Sequence, residues 1–176
     1  MKNILVTGGA GFIGSNLVKH LVSLGVNVRV VDDLSSGKRE NIPEGVDFLE
    51  SDLSSVSTEE LCRFMIGVDT VFHLAAKARV QPSIEDPMKF NKANVDSTLN
   101  ILVASRDVGV KKFIYSASSS CYGDTEIVPT PEEAPINPVS PYGLQKYIGE
   151  EYCKLFSQIY DLDTVCLRYF NVFSKD

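Results

Sequence analysis

The sequence predicts a doubly wound α/β fold with a parallel sheet, on three observations. Short apolar runs recur along the 176 residues, stretches with helical apolar spacing separate them, and a glycine-rich turn joins the first run to the first helical stretch. Continuous apolar strands alternating with helices require a sheet covered on both faces, because right-handed crossovers place the helices there.

Each element follows from the local pattern. Asn3–Thr7 is an apolar run stopped by Gly8 and Gly9, a buried strand feeding a turn. Phe12, Ile13, Leu17, Leu21 and Leu24 then recur at helical spacing, and Gly25 supplies a stop. Residues 27–31 form the second strand, ending on Asp32, and residues 46–50 the third. A short helix over 58–65 leads to a fourth strand at 70–74, and a long helical stretch lies within 86–106. Residues 112–116 read as the fifth strand, 142–160 as a helix and 164–169 as the sixth strand. The proline-rich stretch 129–141 reads as a surface loop.

Size and composition bound the function. The chain is long enough for one domain, residues 1–176, with a sizeable core. Apolar residues at 44% and charged residues at 23% match soluble globular proteins. A net charge of −6, with no basic cluster beyond Lys111 and Lys112, lacks the electrostatic footprint of a nucleic-acid binder. No apolar run reaches bilayer-spanning length and the N-terminal run is too short for a secretory signal, so a cytoplasmic protein with no membrane partner is expected. Cys62, Cys121, Cys153 and Cys166 lack metal or dithiol spacing and read as free thiols. His20 falls in a helical pattern and His73 ends an apolar run, so no metal site is expected.

The turn Thr7-Gly8-Gly9-Ala10-Gly11-Phe12-Ile13-Gly14 fits G-x-x-G-x-x-G and, from Gly9, G-x-G-x-x-G. Glycines let the backbone approach a pyrophosphate, the helix N-terminus offers free N–H groups, and a side chain at Gly11 would obstruct the approach. Asp32, closing the second strand, can accept from adenosine ribose hydroxyls and would repel an extra phosphate, so NAD is favoured over NADP. Asp33 either shares that role or is a solvated turn residue.

Among seven tyrosines only Tyr142 has a lysine four residues on, Lys146. Ser140 as N-cap and Pro141 at the first helical position put both on one helix face. A nearby ammonium favours the phenolate, so the tyrosine can serve as general base. Upstream, the hydroxyl-rich run from Ser116 through Ser118 to Ser120 follows the fifth strand, where loops face a ligand crevice.

These motifs, with TGGAGFIG, VVDDLSSG, SDL, HLAA, NVDSTLNIL, YSASSSCYGD, PYGLQK and LRYFNV, resemble the extended short-chain dehydrogenase/reductases, in particular the UDP-glucose 4-epimerase branch and its UDP-N-acetylglucosamine relatives. The resemblance runs over essentially the whole chain and implies a Rossmann-type NAD-binding fold and isomerase chemistry. It implies that Gly8, Gly11, Phe12, Ile13 and Gly14 surround the pyrophosphate, and that Asp32, Asp33, Leu34, Ser35, Ser36 and Gly37 surround the adenosine ribose. Asp52 and Leu53 would contact adenine. Leu74, Ala75, Ala76 and Asn94 would line the cofactor channel, with Phe170 near the nicotinamide. Ser118, Tyr142 and Lys146 would form the catalytic set, Tyr142 and Lys146 also touching the cofactor, and Ser118, Tyr142 and Asn171 would meet a UDP-sugar. Related dehydratases carry Thr-Asp-Glu after the fifth strand and related decarboxylases a glutamate; here Ser118, Ser119 and Ser120 bring no carboxylate.

The resemblance also marks departures. Asn171, Val172, Phe173, Ser174 and Lys175 stand where the pattern often reads N-V-x-G-P, and Ser97 where it often has glycine. Family members continue for a further substrate-binding lobe, which the chain ending at Asp176 is expected to lack. Without it, transition-state binding energy is incomplete. A non-catalytic NAD-binding module, a truncated homologue without turnover, and a dehydratase or reductase on the same fold therefore stand as alternatives. A homodimer through the helices within 86–106 and over 142–160 is implied by the relatives, although an apolar outer face there reads equally as core.

Overall fold

The computed structural model describes residues 2–174; Met1, Lys175 and Asp176 lie outside the described residues, and with Lys175 goes the last position of the N-V-x-G-P departure. Six strands, β1 (Asn3–Thr7), β2 (Asn27–Asp32), β3 (Asp47–Glu50), β4 (Thr70–His73), β5 (Lys112–Ser118) and β6 (Asp163–Tyr169), pair in parallel in the order β3-β2-β1-β4-β5-β6. This is the Rossmann-type order expected from the sequence, and it reverses between β1 and β4. Connections leaving the carboxyl ends of those two strands diverge to opposite sides, which opens a crevice there. Register places Thr7 beside Val31 on one side and His73 on the other, with Tyr115 next beyond His73.

The helices are α1 (Phe12–Ser23), α2 (Thr58–Met65), α3 (Val80–Glu85), α4 (Pro87–Asn91), α5 (Ser97–Val108) and α6 (Pro141–Ile159), with a π turn, Lys92–Asp96, between α4 and α5. Leu61, Met65, Ile101, Leu102, Cys153 and Phe156 of α2, α5 and α6 bury against Leu5, Val71, Phe113 and Tyr115. Val18 and Leu21 of α1 pack in a second cluster with Ile4, Val6, Val28 and Val30. Alternation along the strands thus feeds two hydrophobic layers, one on each sheet face.

Four differences from the sequence reading have local causes. The core stripe of α1 is Gly14, Ser15, Val18 and Leu21, whereas Phe12, Ile13 and Leu24 are exposed. The α1 start is pressed against the turn: a Cβ on Gly14 would lie 2.1 Å from the Gly8 carbonyl oxygen, so the glycine faces inward and the two large side chains face the crevice. Helix α3, unanticipated, follows the fourth strand. The long helical stretch is split by its π turn, where Thr98 donates its hydroxyl to the Asn94 carbonyl at 2.6 Å and Ser97 donates to Ala93. β5 runs two residues further than expected, to Ser118, because β6 pairs with it along its whole length.

The proline-rich segment has no regular structure but is pinned. Asn137 N–H donates to the Cys121 carbonyl at 2.9 Å, and Ala134 and Ile136 pack with Cys121 and Tyr122. At the helix that follows, Ser140 accepts from Gly143 N–H at 3.1 Å with Pro141 in the first turn, the cap read from the sequence. Among the described residues no helix is long and apolar enough to cross a membrane, and no group of three metal-ligating side chains gathers.

Candidate functional site

Residues at the carboxyl ends of the strands line two clefts of about 290 and 390 Å³, which share Phe12, Ile13, Leu74, Ala76 and Ser116 and so form one furrow. The first cleft runs over the glycine turn. Gly8 has φ +68, and a Cβ there would lie 2.7 Å from the Ala75 nitrogen, so both backbone conformation and space demand glycine. Gly11 differs: a Cβ would meet no protein atom nearer than the Gly8 oxygen at 3.4 Å. Its side of the backbone faces the cleft, where an added side chain would occupy ligand space. Helix α1 has no side-chain cap at Gly11 and no acidic residue in its first turn, which leaves the N–H groups of Phe12 and Ile13 open to an anion.

Asp32 serves the turn before it serves any ligand. Its Oδ2 accepts from Ala10 N–H at 2.9 Å and its Oδ1 from Leu34 N–H at 2.8 Å. Each carboxylate oxygen keeps a further acceptor site, and Asp32 lines the cleft with Asp33, Ser35, Ser36, Asp52 and Leu53. Asp33 closes a local turn on Ser35 N–H, and Asp52 does the same with Ser54. Two expected ribose neighbours stand back from the cleft wall. Leu34 packs with the α1-side core, and Gly37 abuts Ala10, where a Cβ would lie 2.5 Å from the Ala10 carbonyl carbon.

Asn94 is likewise displaced from its expected place on the channel wall. Its amide is consumed: Oδ1 accepts from Lys77 N–H at 2.8 Å, while Nδ2 donates to the Lys77 carbonyl and to Gln145 Oε1. It positions Lys77, which does line the first cleft together with Leu74, Ala75 and Ala76. Sequence reasoning missed Lys77 and Arg79, although both follow directly on the fourth strand, where a crevice residue is expected.

Behind this wall His73 is fully buried. Leu74 and Ala75 N–H groups both donate to Thr7 Oγ1, so the Thr7 hydroxyl proton goes to His73 Nδ1 at 2.7 Å. The imidazole proton then sits on Nε2 and donates to Thr98 Oγ1 at 3.0 Å. Burial, with Lys146 adding to it, lowers the His73 pKa to about 3.

The second cleft brings together Ser118, Tyr142, Lys146, Phe170 and Asn171, contributed by β5, α6 and the chain after β6. Ser118 Oγ accepts from Ser120 N–H at 3.2 Å, which frees its own proton for Tyr142. Burial raises the Tyr142 pKa and the Ser118 hydrogen bond lowers it in part. The Lys146 ammonium rests 4.4 Å from the centre of the Tyr115 ring, and no carboxylate pairs with it among the described residues. Gly149 makes room for that ring, since a Cβ there would lie 2.2 Å from the Tyr115 hydroxyl oxygen. Burial lowers the Lys146 pKa to about 8. A cation in this position holds hydroxyl or phosphate oxygens well, and a tyrosine with a polarising serine can exchange a proton with a hydroxyl.

The furrow fits a dinucleotide: glycine-lined backbone and open N–H groups for a pyrophosphate, a carboxylate at the β2 end for a ribose, and a buried cation beside a phenol at the far end. The family model "NAD dependent epimerase/dehydratase family" matches residues 4–176. A UDP-glucose 4-epimerase of Azospirillum brasilense is 36% identical over 173 residues, covering 98% of this chain and 50% of that protein. Among solved structures, a UDP-N-acetylglucosamine 4-epimerase of Methanobrevibacter ruminantium in complex with UDP-N-acetylmuramic acid is 41% identical with a TM-score of 0.92, over 98% of this chain and 56% of that one. A UDP-glucose 4-epimerase of Brucella ovis in complex with NAD is 38% identical with a TM-score of 0.92, over 97% and 52%. The chain spans about half the length of the curated relatives it matches.

Proposed function

Because the chain belongs to the NAD dependent epimerase/dehydratase family, we propose that residues 1–176 form the NAD-binding, catalytic part of a UDP-sugar 4-epimerase, an isomerase. The observation that carries this reading is the composition of the second cleft. Ser118, Tyr142 and Lys146 face one furrow with the glycine turn, and no aspartate or glutamate lines their cleft among the described residues. Eliminating water or carbon dioxide calls for the carboxylates that related dehydratases and decarboxylases carry there. Moving a proton on and off one hydroxyl needs a single phenol.

NAD, when bound, supplies the redox chemistry at the sugar 4-carbon and is left unchanged at the end. Gly11, Phe12 and Ile13 would hold its pyrophosphate, Asp32 its adenosine ribose, and Lys146 its second ribose. Asp32 disfavours a phosphate on the adenosine ribose, which selects NAD over NADP. Tyr142 takes the proton of the sugar 4-hydroxyl and returns it, while Ser118 donates to the same oxygen and stabilises it as charge develops. Burial raises the Tyr142 pKa, and a positive charge held beside the phenol would offset this and favour the base form. Phe170 and Asn171 line the same cleft and would flank a sugar turning between its two faces.

The test is conversion of UDP-glucose or UDP-N-acetylglucosamine to the 4-epimer with added NAD. Epimer without net NADH is the expected result, and Tyr142→Phe lowers the rate by about 10²-fold or more while NAD affinity persists. Net NADH consumption or loss of water would contradict the reading. No conversion by the folded, NAD-bound protein would favour a binding module without turnover.

A further inference from the structure

Arg79 is the one arginine without a partner among the described residues. Arg29, Arg63, Arg106 and Arg168 pair with Asp47, Glu59, Asp107 and Glu150, and Arg39 lies over the Phe48 ring. Arg79 instead lines the second cleft, where Lys146 is the other cation and no carboxylate is present. With a net charge of −6, the chain as a whole does not account for unbalanced positive charge at this point. The backbone carrying Arg79 is tied to Tyr142: Arg79 is the N-cap residue of α3, and buried Ser83 of that helix accepts the Tyr142 N–H at 3.1 Å. Lys77, two residues earlier, faces the first cleft, so phosphates there have their own cation.

Arg79 is exposed and lines the second cleft with Phe12, Leu74, Val80 and Phe170, so a ligand filling the cleft covers its guanidinium. A neutral ligand leaves that charge unpaired, whereas a carboxylate meets it with two parallel hydrogen bonds. We propose that Arg79 selects a nucleotide sugar whose ring carries a carboxylate, pairing with it in the cleft that holds Tyr142. The inference rests on the 4-epimerase reading for the ligand being a nucleotide sugar. If Tyr142 addresses the sugar 4-hydroxyl, the carboxylate of a uronic acid stands on the neighbouring carbon, while the diphosphate leaves from the carbon across the ring.

The test titrates UDP-glucuronate and UDP-glucose into the chain, with and without saturating NAD, by calorimetry and by the Arg79 Nε–Hε resonance, assigned by its loss in Arg79→Gln. UDP-glucuronate is expected to shift that resonance and to bind about tenfold tighter than UDP-glucose. Arg79→Gln removes the difference and leaves NAD affinity unchanged, and Arg79→Lys retains part of it. A resonance that stays still at millimolar UDP-glucuronate, or equal affinity for the two sugars, overturns the proposal. So does Arg79→Gln weakening UDP, UDP-glucose and UDP-glucuronate alike, which would put the guanidinium on the diphosphate. NAD binding that holds while Arg79 stays silent removes this inference alone. NAD binding that fails while Arg79 still answers the carboxylate removes the epimerase reading and leaves the carboxylate site.

Discussion

His73 sits between the hydroxyls of Thr7 and Thr98 with its ring beside Tyr115, and Nδ1 cannot gain a proton without breaking the hydrogen bond it accepts from Thr7. Its pKa falls from 6.5 to about 3 on folding. Between those values the unfolded chain binds a proton that the folded chain refuses, so stability rises with pH across the window and is lost on acidification from about pH 6.5 downward. The slope approaches about 1.4 kcal/mol per pH unit for one such group. Denaturant unfolding at pH 7 and pH 5 should show this loss, and His73→Gln should flatten it; an equal loss in both proteins would contradict the account. The sequence showed His73 only as the end of an apolar run. Its role depends on Thr7 and Thr98, which are brought together by strand register and a π turn, and neither is visible as spacing.

At the scale of elements, the loop after β5 is held by a partly buried ion pair. Arg168 of β6 donates to both Glu150 oxygens, at 2.9 and 2.6 Å, and reaches Tyr122 Oη and the Glu132 carbonyl. Strand β6, helix α6 and the loop thus meet at one guanidinium, directly before Tyr169 and Phe170 enter the second cleft. Arg168→Met strands Glu150 with only Lys154 beside it, and should cost about 3 kcal/mol in denaturant unfolding. A loss below about 0.5 kcal/mol would show that the pair holds nothing together. Strands and the α6 cap were legible because apolar runs and Ser-Pro act locally. The inward face of α1 was not, because the turn rather than the apolar count decides it, with Gly14 buried and Phe12 turned to the crevice. Helix α3 escaped notice since its six residues carry little apolar period.

For the whole molecule, strand order places every candidate group at one end of the sheet, and the reversal between β1 and β4 aligns the glycine turn with the Tyr142 helix. That convergence was readable from alternating elements and a glycine motif because the topology follows general handedness rules. Which of the converging groups line the furrow and which brace it was not readable: Asn94 braces Lys77, and Asp32 braces Ala10 and Leu34. The central claim is that a dinucleotide lies along the furrow with its pyrophosphate on the Gly11 backbone. Gly11 has φ −76, which any residue adopts, and its Cβ position meets only the Gly8 oxygen at 3.4 Å, so Gly11→Val should fold with little change in melting temperature. Calorimetry of NAD with both proteins is the most direct test. One NAD should bind the parent chain and affinity should fall at least about tenfold in folded Gly11→Val; a folded parent that binds no NAD, or a variant that binds it equally well, would contradict the account.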